Sequence, residues 1–92
     1  MELVGKIKNI GDTTSHGNNG FEKREFVIVT EEQYPQTIQL ELQQGNVNLL
    51  DRCHEGQKVN VHFTIRGREW VNPEGVSKYF NTLVGWKIEV FT

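Results

Sequence analysis

The sequence predicts an all-β fold, a five-stranded barrel with a short helix between strands three and four. Three observations predict it. Alanine, the best helix former, is absent, whereas Val, Ile, Thr, Phe, Tyr and Trp are abundant. Apolar and polar residues alternate with period two over stretches of strand length. Turn-forming Gly, Pro, Asn and Asp gather between those stretches. The 92 residues suit one domain, residues 1–92, because domains commonly hold about 100–150 residues, and they leave no room for separate catalytic and regulatory lobes.

The first strand spans Glu2 to Ile10, with Leu3 and Ile7 on one parity and Lys6 and Lys8 on the other. Gly11 to Gly20 has three glycines and no apolar side chain, which predicts an exposed, mobile loop. Phe21 to Thr30 is the second strand, charged at its start and apolar over Val27 to Val29. Pro35 cannot donate to a central ladder, so Glu31 to Pro35 is a connection, with Tyr34 beside it as a packing residue. Thr37 to Gln43 alternates cleanly, Ile38, Leu40 and Leu42 facing one way and Thr37, Gln39, Glu41 and Gln43 the other.

Gln44 to Glu55 loses that alternation. Val47, Leu50 and Cys53 or His54 recur at three- to four-residue spacing before Gly56, predicting a short helix capped by the glycine, with Leu49 and Leu50 plugging one barrel end. The fourth strand runs from Lys58 to about Trp70, with Val59, Val61, Phe63 and Ile65 inward and a bend or bulge near Gly67. Asn72 to Gly75 is a turn, and Tyr79 to Val90 the fifth strand. Phe80, Val84, Trp86, Ile88 and Val90 share one parity but Leu83 the other, which calls for a bulge or two-sided burial near Gly85. Phe26, Phe63, Phe80 and Trp86 are assigned to the core or to capping it. Three strands, a helix and two strands, with long loops after the first and fourth, is the order of an OB-fold barrel, which binds oligonucleotides or oligosaccharides on its strand two and three face and adjoining loops. An SH3-like barrel competes, and the helix favours the OB-fold.

Cys53 is the only cysteine, which forbids an internal disulfide and a Cys-x-x-Cys pair. With no signal-peptide pattern at the start and no run of about 18 apolar residues, the expected setting is cytoplasmic and away from membranes. Catalysis is not indicated. His16, His54, His62 and Cys53 lie on a loop, a helix end and a strand, whereas a zinc site needs converging ligands at about 2.3 Å or closer; Cys53 reads as a half-buried apolar residue and His62 as a solvated one. Cys53 and His54 diverge as neighbours, Ser15 and Ser77 lack a nucleophile elbow, and Glu31-Glu32 reads as a solvated pair. No metal and no cofactor are expected.

Binding residues stand out more clearly. The net charge of −2 is uneven: residues 1–30 balance, residues 31–57 carry one base against five acids, and residues 58–92 carry five bases against three acids. Arg66, Arg68 and Trp70 share the outward parity of strand four, and Lys78 and Tyr79 lie across the turn. A modestly basic groove with aromatic platforms is how single strands are held with little sequence preference, each stacked base contributing about 1–3 kcal/mol. Lys23 and Phe21, beside the first loop, extend the surface, although that loop's own residues offer only His16. Trp70 either stacks on a base or folds over a barrel end.

Met1-Glu-Leu-Val-Gly-Lys-Ile7, Glu25-Phe-Val-Ile-Val-Thr-Glu-Glu-Gln-Tyr-Pro35, Gly67-Arg-Glu-Trp70 and Gly85-Trp-Lys-Ile-Glu89 together resemble a family of small uncharacterised bacterial and phage proteins with an OB-like barrel. More distantly, the passage from Arg66-Gly-Arg-Glu-Trp70 to Tyr79-Phe80 is similar to the fourth-strand hairpin of bacterial single-stranded DNA-binding proteins. The resemblance implies single-strand binding, Trp70 as a stacking platform, Arg66 and Arg68 as phosphate contacts, and self-association through barrel edges into a dimer or tetramer. Those proteins usually continue into an acidic tail that recruits partners; here the sequence stops at Glu89-Val-Phe-Thr92, directly after its last strand, so tail-mediated recruitment is not expected. The expected function is non-enzymatic binding of single-stranded nucleic acid, DNA foremost. A protein-interaction or assembly module without nucleic-acid binding is the alternative, motivated by the acidic middle third.

Overall fold

The computed structural model describes residues 1–91. Five strands, β1 (Glu2–His16), β2 (Phe21–Thr30), β3 (Thr37–Gln43), β4 (Lys58–Val71) and β5 (Ser77–Val90), and a 3-10 helix (Gln44–Leu50) between β3 and β4 realise the OB-fold order. They close into a barrel in the order β1-β2-β3-β5-β4. All neighbours are antiparallel except β3 and β5, which meet in parallel at Glu41 and Val84. Gly85 permits that closure: a Cβ there would stand 3.0 Å from Leu42 Cδ2 and 3.4 Å from Val61 Cγ1. Among the described residues no helix is long and apolar enough to cross a membrane.

The core follows strand parity wherever a second layer exists. Ile7, Phe26, Ile28, Leu40, Leu42, Val59, Val61 and Phe63 fill the barrel, and Val47 and Leu50 of the helix close one end, with Leu49 partly buried beside them. The helix ends at Leu50, short of the predicted Glu55, and Gly56 instead serves the turn into β4 with φ +91°.

Two irregularities in β1 explain how residues of both parities reach the core. The β1–β2 register slips between Ile7 and Asn9 and again between Ile10 and Thr13, so Ile10 packs on the same core as Ile7. The second slip frees the Gly11 carbonyl, which accepts from Arg24 Nε at 2.9 Å; Arg24 Nη1 also donates to the Val47 carbonyl at 3.2 Å and to Asp51 Oδ1 at 2.8 Å. One largely buried guanidinium thus ties β1, β2 and the helix region together, satisfying backbone acceptors left over at a bulge and a helix.

Beyond the barrel, two hairpins project. The radius of gyration is 14.8 Å against about 12 Å for a compact chain of this length. The predicted mobile loop over Gly11 to Gly20 is corrected: β1 continues to His16, pairing Thr13 to His16 with Arg24 to Phe21, and only residues 17–20 form the turn, with Gly17 at φ +73°. Sequence polarity here marks an arm solvated on both faces, and the β-branched Thr13 and Thr14 suit a strand. The second arm is β4–β5, which starts two residues earlier than expected, at Ser77. Its turn is built by Asn72, whose Oδ1 accepts from the Glu74 and Val76 amides, both at 2.9 Å, and by Gly75 at φ +82°.

The arm also overturns several inward assignments. Ile65 is exposed, because inward parity buries a residue only where another layer covers it and the hairpin runs past the barrel; Phe80 is exposed because the irregularity in β5 turns it onto the face of Arg68, and Tyr34, in the β2–β3 connection away from the arm, is exposed rather than packed. No bulge occurs at Gly67, which pairs with Asn81; the slip lies between His62 and Phe63, opposite Lys87 and Gly85. Trp86 is the extra residue, half exposed rather than core. The bulge expected near Gly85 is therefore present, and it reconciles Leu83 with Ile88, which both pack against the core.

Candidate functional site

The β4–β5 arm brings four of the seven predicted binding residues onto one face. Arg66 pairs with Thr82, Arg68 with Phe80, and Trp70 with Lys78, and residues two apart on a strand share a face. Arg68 lies over the Phe80 ring at 5.1 Å and Lys78 over the Trp70 ring at 6.0 Å, so each aromatic is flanked by a cation. Trp70 and Phe80 are 44% and 45% exposed, which leaves ring surface open for stacking. Trp70 stands on the arm, outside the core cluster, and does not cap the barrel.

The other three predicted residues are placed differently. Tyr79 is 72% exposed but pairs with Glu69, on the opposite face of the arm. Lys23 stands on β2 opposite Gln43 of β3, and Gln43 lines a depression with Arg66, Arg68, Phe80 and Thr82, so Lys23 borders the same surface from the next strand. Phe21 pairs with His16 beside the first turn, partly covered. Phe80 is the residue that parity missed: assigned to the core, it proves to be the cross-strand partner of Arg68. Counting back from a turn at Asn72 to Val76 would have placed it there.

Of the ten Lys and Arg residues, Arg24 is committed to its backbone acceptors, and Lys58 pairs with Glu31 at 3.3 Å. Arg66, Arg68 and Lys78 form no ion pair within 4.0 Å among the described residues. Their charge is therefore available to an anionic ligand.

A second cluster lies elsewhere on the barrel, on the outer surface of β1, β4 and β5. His62 Nε2 donates to Glu89 Oε1 at 2.5 Å and stands 4.0 Å from Glu2 Oε1, while its ring meets Trp86 at 5.2 Å between centroids. Asn60 Nδ2 donates to Glu2 at 2.7 Å and to Glu89 at 3.4 Å. His62, expected to be solvated, is instead largely covered and hydrogen-bonded to Glu89. The hydrogen bond from His62 holds the Glu89 carboxyl below its ordinary range. Among the described residues, Glu2, His62 and Glu89 have donor atoms close enough to share a metal ion, within 4.8 Å of one another, yet Glu89 is already bonded to His62 and both carboxylates to Asn60. A carboxylate–histidine group spread over three strands leaves no spacing in the sequence by which it could be found. Cys53 is half-buried as expected, with Sγ 3.7 Å from the Leu49 carbonyl, and burial pushes its thiol pKa up against the opposing pull of Arg52 and Arg24.

The fold has solved counterparts. The chain is similar to Rim1, a mitochondrial single-stranded DNA binding protein of S. cerevisiae, with a TM-score of 0.71 at 17% identity over 98% of this chain and 91% of that one. It is also similar to the N-terminal domain of PriB from Thermoanaerobacter tencongensis, described as dimeric, with a TM-score of 0.69 at 16% identity over 100% and 94% of the two chains. These likenesses establish the OB-fold and stop there. No curated protein matches the chain in sequence. The family model of DUF3127, a domain of unknown function, matches residues 2–89, and the chain belongs to that family.

Proposed function

We propose that this protein binds single-stranded nucleic acid, DNA foremost, without catalysis and with little sequence preference along the β4–β5 arm. The observation that carries the reading is the gathering of Arg66, Arg68, Lys78, Trp70 and Phe80 on one face of a projecting hairpin. Bases would stack on Trp70 and Phe80 while the three cations meet phosphates. Lys23 would extend the track toward β2; Tyr79 and Phe21, on other surfaces, would contact only a strand that wraps the arm tips. No constellation of nucleophile, base and stabiliser suggests a reaction, and the half-buried thiol suits a reducing, cytoplasmic setting.

Titration with an oligothymidylate tests this through tryptophan fluorescence. Trp86→Phe leaves Trp70 as sole reporter, and its emission is expected to be quenched at low salt; Trp70→Ala and Arg68→Ala are expected to weaken binding. Absence of quenching, together with no mobility change of the oligonucleotide at ample protein, would refute the reading.

Self-association belongs to the same proposal. Barrel closure removes the open edges that an unclosed sheet would present, but Val4 of β1, Trp86 of β5 and Phe91, just after β5, remain exposed, a surface suited to a second copy. A dimer is expected in light scattering, and a monomer at all concentrations would contradict this part. Oligonucleotide-independent capture of another protein, with no nucleic-acid binding, would favour the assembly-module reading instead.

A further inference from the structure

The groove beside the basic face changes character along its length. Past Thr82, which lines both stretches, the lining becomes Glu25, Gln39, Glu41, Asn81 and Leu83. Glu25 of β2 and Glu41 of β3 stand directly opposite each other in the ladder, an arrangement in which like charges repel. Each has one oxygen engaged: Gln39 Nε2 donates to Glu25 Oε2 at 2.6 Å, and Gln43 Nε2 to Glu41 Oε2 at 2.8 Å. No cation reaches either carboxylate within 4.0 Å among the described residues. Among the described residues the second oxygen of each is therefore an acceptor without a protein donor, at the end of a groove whose other stretch is basic and aromatic.

We infer that this stretch is a base-reading subsite that takes the donor edge of a nucleobase, guanine first. The inference rests on the single-strand reading above. A phosphate placed between Glu25 and Glu41 would be repelled, whereas the same strand's phosphates are drawn to Arg66 and Arg68, so a bound strand turns its backbone to the arginines and a base to the carboxylates. Ionised carboxylates only accept hydrogen bonds. Guanine offers N1–H and the N2 amine side by side on its Watson–Crick edge, two donors for two free acceptors. Cytosine and adenine offer one exocyclic amine beside an acceptor. Thymine offers N3–H between two carbonyl oxygens, which the carboxylates disfavour. The arm reads charge and ring area; this stretch adds one position where the base matters.

The test uses the full chain and fluorescence anisotropy with three labelled oligonucleotides: an oligothymidylate, the same with two interior guanines, and the same with 2′-deoxyinosine at those positions, which keeps N1–H but lacks the N2 amine. The guanine strand is expected to bind about five- to tenfold tighter than the oligothymidylate, at the low end for a two-donor base contact because the groove is open to solvent, with inosine falling between. Glu25→Gln combined with Glu41→Gln is expected to abolish the ratio while tightening oligothymidylate binding, since repulsion is removed. Equal wild-type binding of all three strands, or a ratio preserved in the double variant, would overturn the subsite and leave the single-strand reading standing. Failure of the wild type to bind any strand would overturn both. The wild-type ratio decides the matter even if the double variant does not fold.

Discussion

Replacing both Arg66 and Arg68 with Gln should change how binding responds to salt by an amount the structure sets. Three unpaired cations, Arg66, Arg68 and Lys78, share the face of the arm. Each phosphate neutralised on a single strand contributes about −0.7 to the slope of log affinity against log salt, so three give a slope near −2 and four, with Lys23, near −3. Affinity should then fall about 100-fold or more from about 50 to about 500 mM salt. In the double variant only Lys78 and Lys23 remain, and the slope should shrink to between about −0.7 and −1.4. Trp70→Ala provides the contrast: it should lower affinity at every salt concentration while leaving the slope near the wild-type value, because stacking releases no counterions. Anisotropy of a labelled oligothymidylate across a salt series measures both. A wild-type slope shallower than about −1, or a double variant with the wild-type slope, would refute the assignment of these arginines to phosphates.

Three further outcomes test the scaffold. Arg24→Met should destabilise the protein by about 2–3 kcal/mol in urea unfolding, because it strips charge-assisted bonds from the Gly11 and Val47 carbonyls, whereas Asp51→Ala, removing only an exposed partner, should cost under about 1 kcal/mol; equal effects would reduce Arg24 to its ion pair. Gly5→Ala should cost about 3 kcal/mol or more, since its Cβ would collide with the Val29 carbonyl and stand 2.7 Å from Ile28 Cγ2, while Gly45→Ala, with open space around it, should be nearly neutral by the same urea measurement. Glu89 has its pKa lowered in the folded protein, so its contribution to stability is present above the ordinary Glu range near 4.3 and is lost as pH falls through the lowered value; Glu89→Gln should flatten the acid limb of a stability–pH curve, and an unchanged limb would count against the His62 bond.

What the sequence made legible follows from where burial acts. Ile38, Leu40 and Leu42 announced β3 because one face of that strand meets the core and the other water, and Val59, Val61 and Phe63 did the same for the first half of β4. Alternation says nothing once a strand leaves the barrel, so β1 past Ile10 resembled a loop and Ile65 resembled core; Phe80 resembled core because it shares the parity of Ile88, which the extra residue Trp86 reverses. The Gly85 bulge was legible because Leu83 and Ile88 could not share an uninterrupted face. The first slip in β1 left its mark in Ile7 and Ile10, whose parities differ although both reach the core, but the second did not, since Gly11 and Asp12 carry no apolar side chain whose parity could betray it. For the site, Arg66, Arg68 and Trp70 were visible together because they lie two apart on one strand. Phe80, Glu25 with Glu41, and Glu2 with His62 and Glu89 are assembled across strands, and cross-strand register becomes readable only when turn length and bulges are known.

Under the proposed function, the charge distribution sets how tightly one copy could hold a single strand. Three phosphate contacts at about 0.1 M salt supply about 3 kcal/mol through counterion release, and two aromatic platforms about 2–6 kcal/mol. The sum of about 5–9 kcal/mol corresponds to dissociation constants from the high micromolar to the sub-micromolar range, before the entropy of association is subtracted. A net charge of −2, with Glu69 and Glu74 on the arm itself, adds no long-range attraction to offset that loss. Tight binding by this chain therefore has to come from a second face acting on the same strand. A dimer that kept both β4–β5 arms free would supply it, because the second arm binds at a raised effective concentration and multiplies affinity without any new kind of contact. Such a protein would hold short oligonucleotides weakly and longer ones, able to reach both arms, far more tightly.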